Sequence, residues 1–169
     1  MAVWENVAEI QLSEILTWCL ENERVDTLLI TSRQSFGNSG KGEYEKGAER
    51  KTKNLLEKHL IERFEARGWP GTKLTNHKGR VYVSAFDTQL AKKMAKAENN
   101  LFKWSNVSRK ALPEDVCLFR RGAKAPTLIS IIHEREAWVI AETCPPGFTA
   151  SSFSPEELYI WSGKYFCRI

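Results

Sequence analysis

Apolar residues at Ile10, Leu12, Ile15, Leu16, Cys19 and Leu20 recur close to every 3.6 positions, with polar or acidic residues between them. That spacing predicts an amphipathic helix over 7–22 with an acidic outer face. Asp26 leads into Thr-Leu-Leu-Ile-Thr, a short apolar run rich in β-formers, which reads as a buried strand. From Glu43 to Arg67 the pattern predicts one long helix. Its first half is almost wholly polar, while its second carries Leu56, Leu60 and Phe64 at i, i+4 and i+8, joined by Leu55 and Ile61. The second half therefore packs, and the first projects into solvent or meets a partner. Gly68-Trp69-Pro70-Gly71 supplies the stop.

Residues 72–75 and 80–86 flank Asn76-His77-Lys78-Gly79, which predicts a hairpin with a tight turn. Asp87 or Thr88 is placed to cap a helix over 88–103, with Leu90, Met94 and Leu101 inward and Lys92, Lys93 and Lys96 outward. Strands are expected at 116–120, 127–133 and 137–142, the last two joined by the charged turn Glu134-Arg135-Glu136. Residues 144–155 read as a loop, Ser154-Pro155-Glu156-Glu157 as a helix start and 164–169 as a final strand. The order indicates an α+β fold, a mainly antiparallel sheet with two or three helices packed on one side. No repeat or linker interrupts it, so residues 1–169 are expected to form one globular domain.

Composition agrees: 42% hydrophobic and 27% charged residues describe a globular chain long enough for one sizeable core. The start lacks a basic region followed by a continuous apolar stretch, and no apolar run approaches the roughly 18 residues of a membrane span. The expectation is an intracellular, cytoplasmic protein with no membrane partner. Cys19, Cys117, Cys144 and Cys167 are scattered with no C-x-x-C pair, so they are expected to be reduced and packed rather than zinc ligands.

Charge changes the picture most. The net +4 divides unevenly: residues 1–32 carry −5, 33–72 carry +3, 73–124 carry +8 and 125–169 carry −2. The basic segment offers Lys73, His77, Lys78, Arg80, Lys92, Lys93, Lys96, Arg109, Lys110, Arg120, Arg121 and Lys124. Trp69, Tyr82, Phe102, Trp104 and Phe119 lie among them. Lysine and arginine neutralise phosphates and release counterions, and exposed aromatics stack bases, so these residues form a candidate nucleic-acid face. A solvated surface over core aromatics is the plain alternative. No helix-turn-helix, zinc finger or RNA-binding signature accompanies them.

Two smaller constellations carry chemistry. The Ser35–Gly47 loop is rich in glycine and serine, and Gly37, Gly40 and Lys41 resemble an anion nest before a helix. A phosphate-binding P-loop fails at two defining positions, since Ser35 stands where its first glycine belongs and Gly42 where its Ser/Thr belongs. Glu43 and Glu45 would also repel a phosphate there. His133, Glu134, Arg135 and Glu136 could in principle serve phosphodiester cleavage, the histidine and a glutamate as acid and base and the arginine on phosphate. Against that, consecutive strand residues alternate faces, and the tetrapeptide reads as a turn.

The sequence therefore points first to a non-catalytic nucleic-acid-binding or nucleic-acid-complex accessory protein acting through 73–124, with no cofactor and no metal site. The alternative is a protein–protein inhibitor or immunity-type module, in which an exposed tryptophan would anchor a protein partner. Third stands a small nuclease centred on His133–Glu136.

Overall fold

The computed structural model describes residues 1–36, 42–43, 46–104 and 112–155. The chain begins with strand β1 (Ala2–Asn6), helix α1 (Leu12–Glu23) and strand β2 (Val25–Arg33). The short strands β3 (Ser35–Phe36) and β4 (Gly42–Glu43) precede helix α2 (Lys46–Leu56). A 3-10 turn (Glu57–His59) then leads into β5 (Leu60–Ala66). A small hairpin, β6 (Gly68–Trp69) and β7 (Thr72–Lys73), is followed by β8 (Gly79–Ala85) and helix α3 (Thr88–Ala97). The rest is β9 (Val116–Arg120), β10 (Pro126–Ile131), β11 (Glu136–Ala141) and β12 (Phe148–Ala150). Eight strands form one sheet in the order β12-β1-β11-β10-β9-β2-β8-β5, with every pairing antiparallel. The fold is α+β, as the element pattern indicates. Among the described residues no helix is long and apolar enough to cross a membrane.

Strand alternation sorts the core into two layers. Leu28 and Ile30 of β2, Tyr82, Leu118, Leu128 and Val139 turn to one face. There they meet Leu12, Ile15, Leu16 and Cys19 of α1, Leu55 and Leu56 of α2, and Leu90 and Met94 of α3. Leu29, Val81, Val83, Cys117, Phe119 and Ile129 turn to the other face, where Trp69 and Leu74 close over part of them. β2, central in the sheet between β8 and β9, is buried on both faces because the helices cover one and the second layer with Trp69 and Leu74 the other. That is why Val-Asp-Thr-Leu-Leu-Ile-Thr reads as a near-continuous apolar run rather than an alternating one.

Several elements differ from the sequence pattern, each for a physical reason. The helix expected to run to Arg67 ends at Leu56, and residues 60–66 form an edge strand along β8. Leu60 and Phe64 at i, i+4 are also two strand repeats apart, so their spacing fits either element. Pairing with β8 decides it. The hairpin expected between 72–75 and 80–86 does not form; β7 pairs with β6 across Pro70-Gly71, and β8 joins β2 and β5 instead. Helix α1 starts at Leu12 rather than residue 7, because its first amides are capped from afar: Leu12 N donates to Asn99 O (2.6 Å) and Ser13 N to Asn99 Oδ1 (2.8 Å). Helix α3 ends at Ala97, before a separate 3-10 turn (Leu101–Lys103), while Asp87 caps it as expected, its Oδ1 accepting from Leu90 N at 2.8 Å. β1 and β12 extend the sheet where no strand is expected. Cys19 and Cys117 are buried but Cys144 is exposed. The expected helix after Ser154, the strand at 164–169 and Cys167 lie outside the described residues, apart from Pro155.

The second core layer depends on a close approach. A Cβ at Gly79 would stand 2.3 Å from the ring of Trp69, which is fully buried. Gly79→Ala is therefore expected to push the indole out of its seat and destabilise the protein by about 1–3 kcal/mol. Urea unfolding checks this; a loss below about 0.5 kcal/mol would mean that the ring tolerates the methyl.

Candidate functional site

The basic residues of 73–124 do not share one surface. Arg80 faces Ser32 at one end of β2 and Arg120 pairs with Val25 at the other. Seven strand residues separate those ends, about 23 Å. Many also have carboxylate partners. Arg80 lies 2.7 Å from Glu49 and 3.7 Å from Glu65, which Lys78 also reaches at 3.6 Å. Arg120 meets Glu23, and Arg121 lies 2.8 Å from Asp26. Lys73 is on β7, His77 in the turn before β8 and Lys124 in the turn after β9. Arg109 and Lys110 lie outside the described residues, as do Gly37, Gly40 and Lys41. Four of the five interleaved aromatics, Trp69, Tyr82, Trp104 and Phe119, are buried in the core, so they offer no ring to a base; Phe102 is partly buried, beneath Arg135.

What the fold does bring together is α3 and α2. Lys93 Nζ donates to Asn54 O at 2.7 Å and lies 3.0 Å from Glu57, fastening one helix to the end of the other. Ala48, Thr52, Leu55 and Leu56 form the buried stripe of α2, and Leu90, Ala91 and Met94 that of α3. At 100° per residue, Lys46, Arg50 and Lys53 point away from the first stripe and Lys92 and Lys96 away from the second. All five are exposed. Together α2 and α3 hold seven basic residues, Lys46, Arg50, Lys51, Lys53, Lys92, Lys93 and Lys96, and one acid. That acid, Glu49, is turned toward the sheet; burial pushes its carboxyl up, but Arg80, Lys53 and Arg63 outweigh burial and hold it below its ordinary value. The sequence pattern groups the α3 lysines with β-strand residues and gives the polar half of the 43–67 helix to solvent or a partner without joining the two, because the contact between the helices spans 39 positions.

His133, Glu134 and Arg135 lie in the hairpin turn before Glu136, the first residue of β11; His133 Nε2 lies 3.5 Å from Glu134, while the arginine turns elsewhere. Arg135 lies 2.6 Å from Glu9 and over the ring of Phe102, so it does not serve His133. His133 instead meets Arg33, whose Nη2 donates to its Nδ1 at 3.0 Å. The same guanidinium lies 3.4 Å from Asp115 and 2.9 Å from Glu114, and it stacks 5.8 Å over Trp69. Asp115, fully buried, accepts from Trp69 Nε1 (2.7 Å), Thr72 Oγ1 (3.1 Å) and Ile132 N (2.9 Å). The acid side of this cluster is enclosed: Glu114 is 13% exposed, which leaves little room for a substrate at its carboxyl. It ties β2, β9 and β10 to the β6–β7 hairpin. No group of metal-ligating side chains occurs among the described residues.

Comparison with protein-family models, with curated proteins and with solved structures finds no match.

The cluster sets two expected outcomes. Asp115→Ala leaves Arg33 and three donors without their acceptor and is expected to destabilise the protein by about 3–5 kcal/mol in chemical denaturation. Glu114 behaves oppositely. Burial pushes its carboxyl up from 4.5 to about 7, against the pull of Arg33 and with the repulsion of Asp115. Its folded value is raised, so its contribution is full below 4.5 and is lost as pH rises through about 7. Glu114→Gln should match wild type near pH 4 and exceed it at pH 8, by up to about 3 kcal/mol. Equal stability of the two proteins at pH 8 would contradict the burial argument.

Proposed function

We propose that this protein binds nucleic acid through the exposed faces of α2 and α3, as a binding or accessory protein without chemistry of its own. The observation carrying the proposal is the seven-to-one excess of basic residues on two helices joined where Lys93 of α3 meets the end of α2. Lys46 and Arg50 stand at i, i+4, as do Lys92 and Lys96, and Arg50 and Lys53 at i, i+3. Such like-charged pairs cost an isolated helix about 0.2–0.5 kcal/mol each. A strip of phosphates would turn the same repulsion into attraction and release counterions. With core aromatics buried, the contacts on offer are to the backbone, which position a strand without reading its sequence. The footprint differs from the 73–124 segment because Lys78, Arg80, Arg120 and Arg121 are engaged by carboxylates, whereas Lys46, Arg50, Lys92 and Lys96 are exposed on the outer faces of α2 and α3.

The test is an anisotropy titration of labelled single- and double-stranded DNA and RNA of unrelated sequences, at several salt concentrations. Wild type should bind with a steep salt dependence and little sequence preference. Reversal of Lys46, Arg50, Lys92 and Lys96 to glutamate should abolish binding and leave the unfolding midpoint nearly unchanged, since exposed changes usually fall within about 0.5 kcal/mol. Neutralising one of them should reduce the log–log salt slope by about one. Absence of wild-type binding at low salt would remove the nucleic-acid reading and leave a protein partner as the alternative.

A further inference from the structure

The β6–β7 hairpin has two-residue strands and little pairing of its own. It stays over the sheet because Trp69 is buried there, because Asp115 holds Trp69 and Thr72, and because Arg33 lies on the indole. We propose that the Arg33 cluster is a proton-operated latch, which holds this hairpin down in neutral and alkaline solution and slackens on acidification.

The hydrogen-bonding capacity of each partner of Arg33 sets its response to acid. A guanidinium only donates, so the bond from Arg33 Nη2 requires a lone pair on His133 Nδ1 and places the ring proton on Nε2. Protonated imidazole has no such lone pair, and it would put a second cation 3.0 Å from the first. His133 is about half exposed and its Nε2 lies 3.5 Å from Glu134, so the charged ring has both solvent and a carboxylate to turn toward. Glu114 loses its charge as pH falls through about 7, and with it the attraction to Arg33 Nε. Asp115 and Glu114 before β9, and His133 and Glu134 after β10, lie around the guanidinium, and Glu136 at the start of β11 acts on His133; Trp69 and Thr72 bring no titratable group from the hairpin. Asp115 keeps three neutral donors throughout. Acid therefore weakens two of the contacts that hold Arg33 over Trp69, those to His133 and Glu114, and leaves that to Asp115.

The latch and overall stability respond oppositely to Glu114, which makes the proposal separable from a structural role. The readout is solvent exchange of the Trp69 indole N–H by NMR, assigned with Trp69→Phe and corrected for intrinsic catalysis. Between pH 8 and pH 5 its protection should fall about tenfold, the effect of losing contacts of modest net strength. His133→Gln keeps an acceptor at every pH, and Glu114→Gln removes the second titration, so the double variant should show no dependence on pH. Glu114→Gln alone should lower indole protection at pH 8 while raising the global unfolding free energy. Constant wild-type protection from pH 5 to 8, full pH dependence in the double variant, or a rise of both quantities in Glu114→Gln would each overturn the latch.

Discussion

A carboxylate without solvent must find its solvation in the protein, and Asp115 finds it in Trp69, Thr72, the amide of Ile132 and the guanidinium of Arg33. Those donors come from β2, the small hairpin and the end of β10, so the charge can be buried only if these segments arrive together. The rest of the lower layer follows from that meeting. Trp69 is drawn over the sheet, Gly79 leaves room for its ring, and Leu74 follows it onto Val81 and Ile129. The upper layer has a buried carboxylate too, Glu23 at the end of α1, but Arg120 meets it at the edge of the layer. Three helices cover it with aliphatic stripes, and its ion pairs lie at the margins.

This division separates structure from surface. On the hairpin side, the cationic group of Arg33 is consumed by packing and by carboxylates. On the helix side the charges are partitioned along the layer. α1 holds Glu14 and Glu21 outward with no basic residue, while α2 and α3 hold seven basic residues. For the proposed polyanion, a surface graded this way would orient as well as attract, because like charges on α1 would repel what α2 and α3 draw in.

Elements whose pattern is local were legible in the sequence. Asp87 caps α3 through its own turn, and the runs at β9, β10 and β11 pair with neighbours close along the chain. Elements decided from a distance were not. The start of α1 is set by Asn99, 86 positions away, and β5 is a strand because β8 offers it an edge. The same distinction governs the sites. Lys92, Lys93 and Lys96 stand out by charge within one turn, but that α2 with Lys46 and Arg50 joins their helix shows only in the contact of Lys93 with Asn54. His133 was legible as a charged turn residue, whereas its partner Arg33 lies 100 positions earlier and carries no local sign of the pairing.

The central claim is that the α2–α3 face, rather than the 73–124 segment as a whole, meets nucleic acid. Amide chemical-shift mapping with a short single-stranded oligonucleotide of mixed sequence tests it most directly, because it reports location as well as binding. The account expects perturbations confined to Lys46–Leu56, Thr88–Ala97 and the turn joining α2 to β5, and fading as salt is raised. Perturbations centred on Lys73, Lys78, Arg120 and Arg121, with α2 and α3 silent, would contradict it.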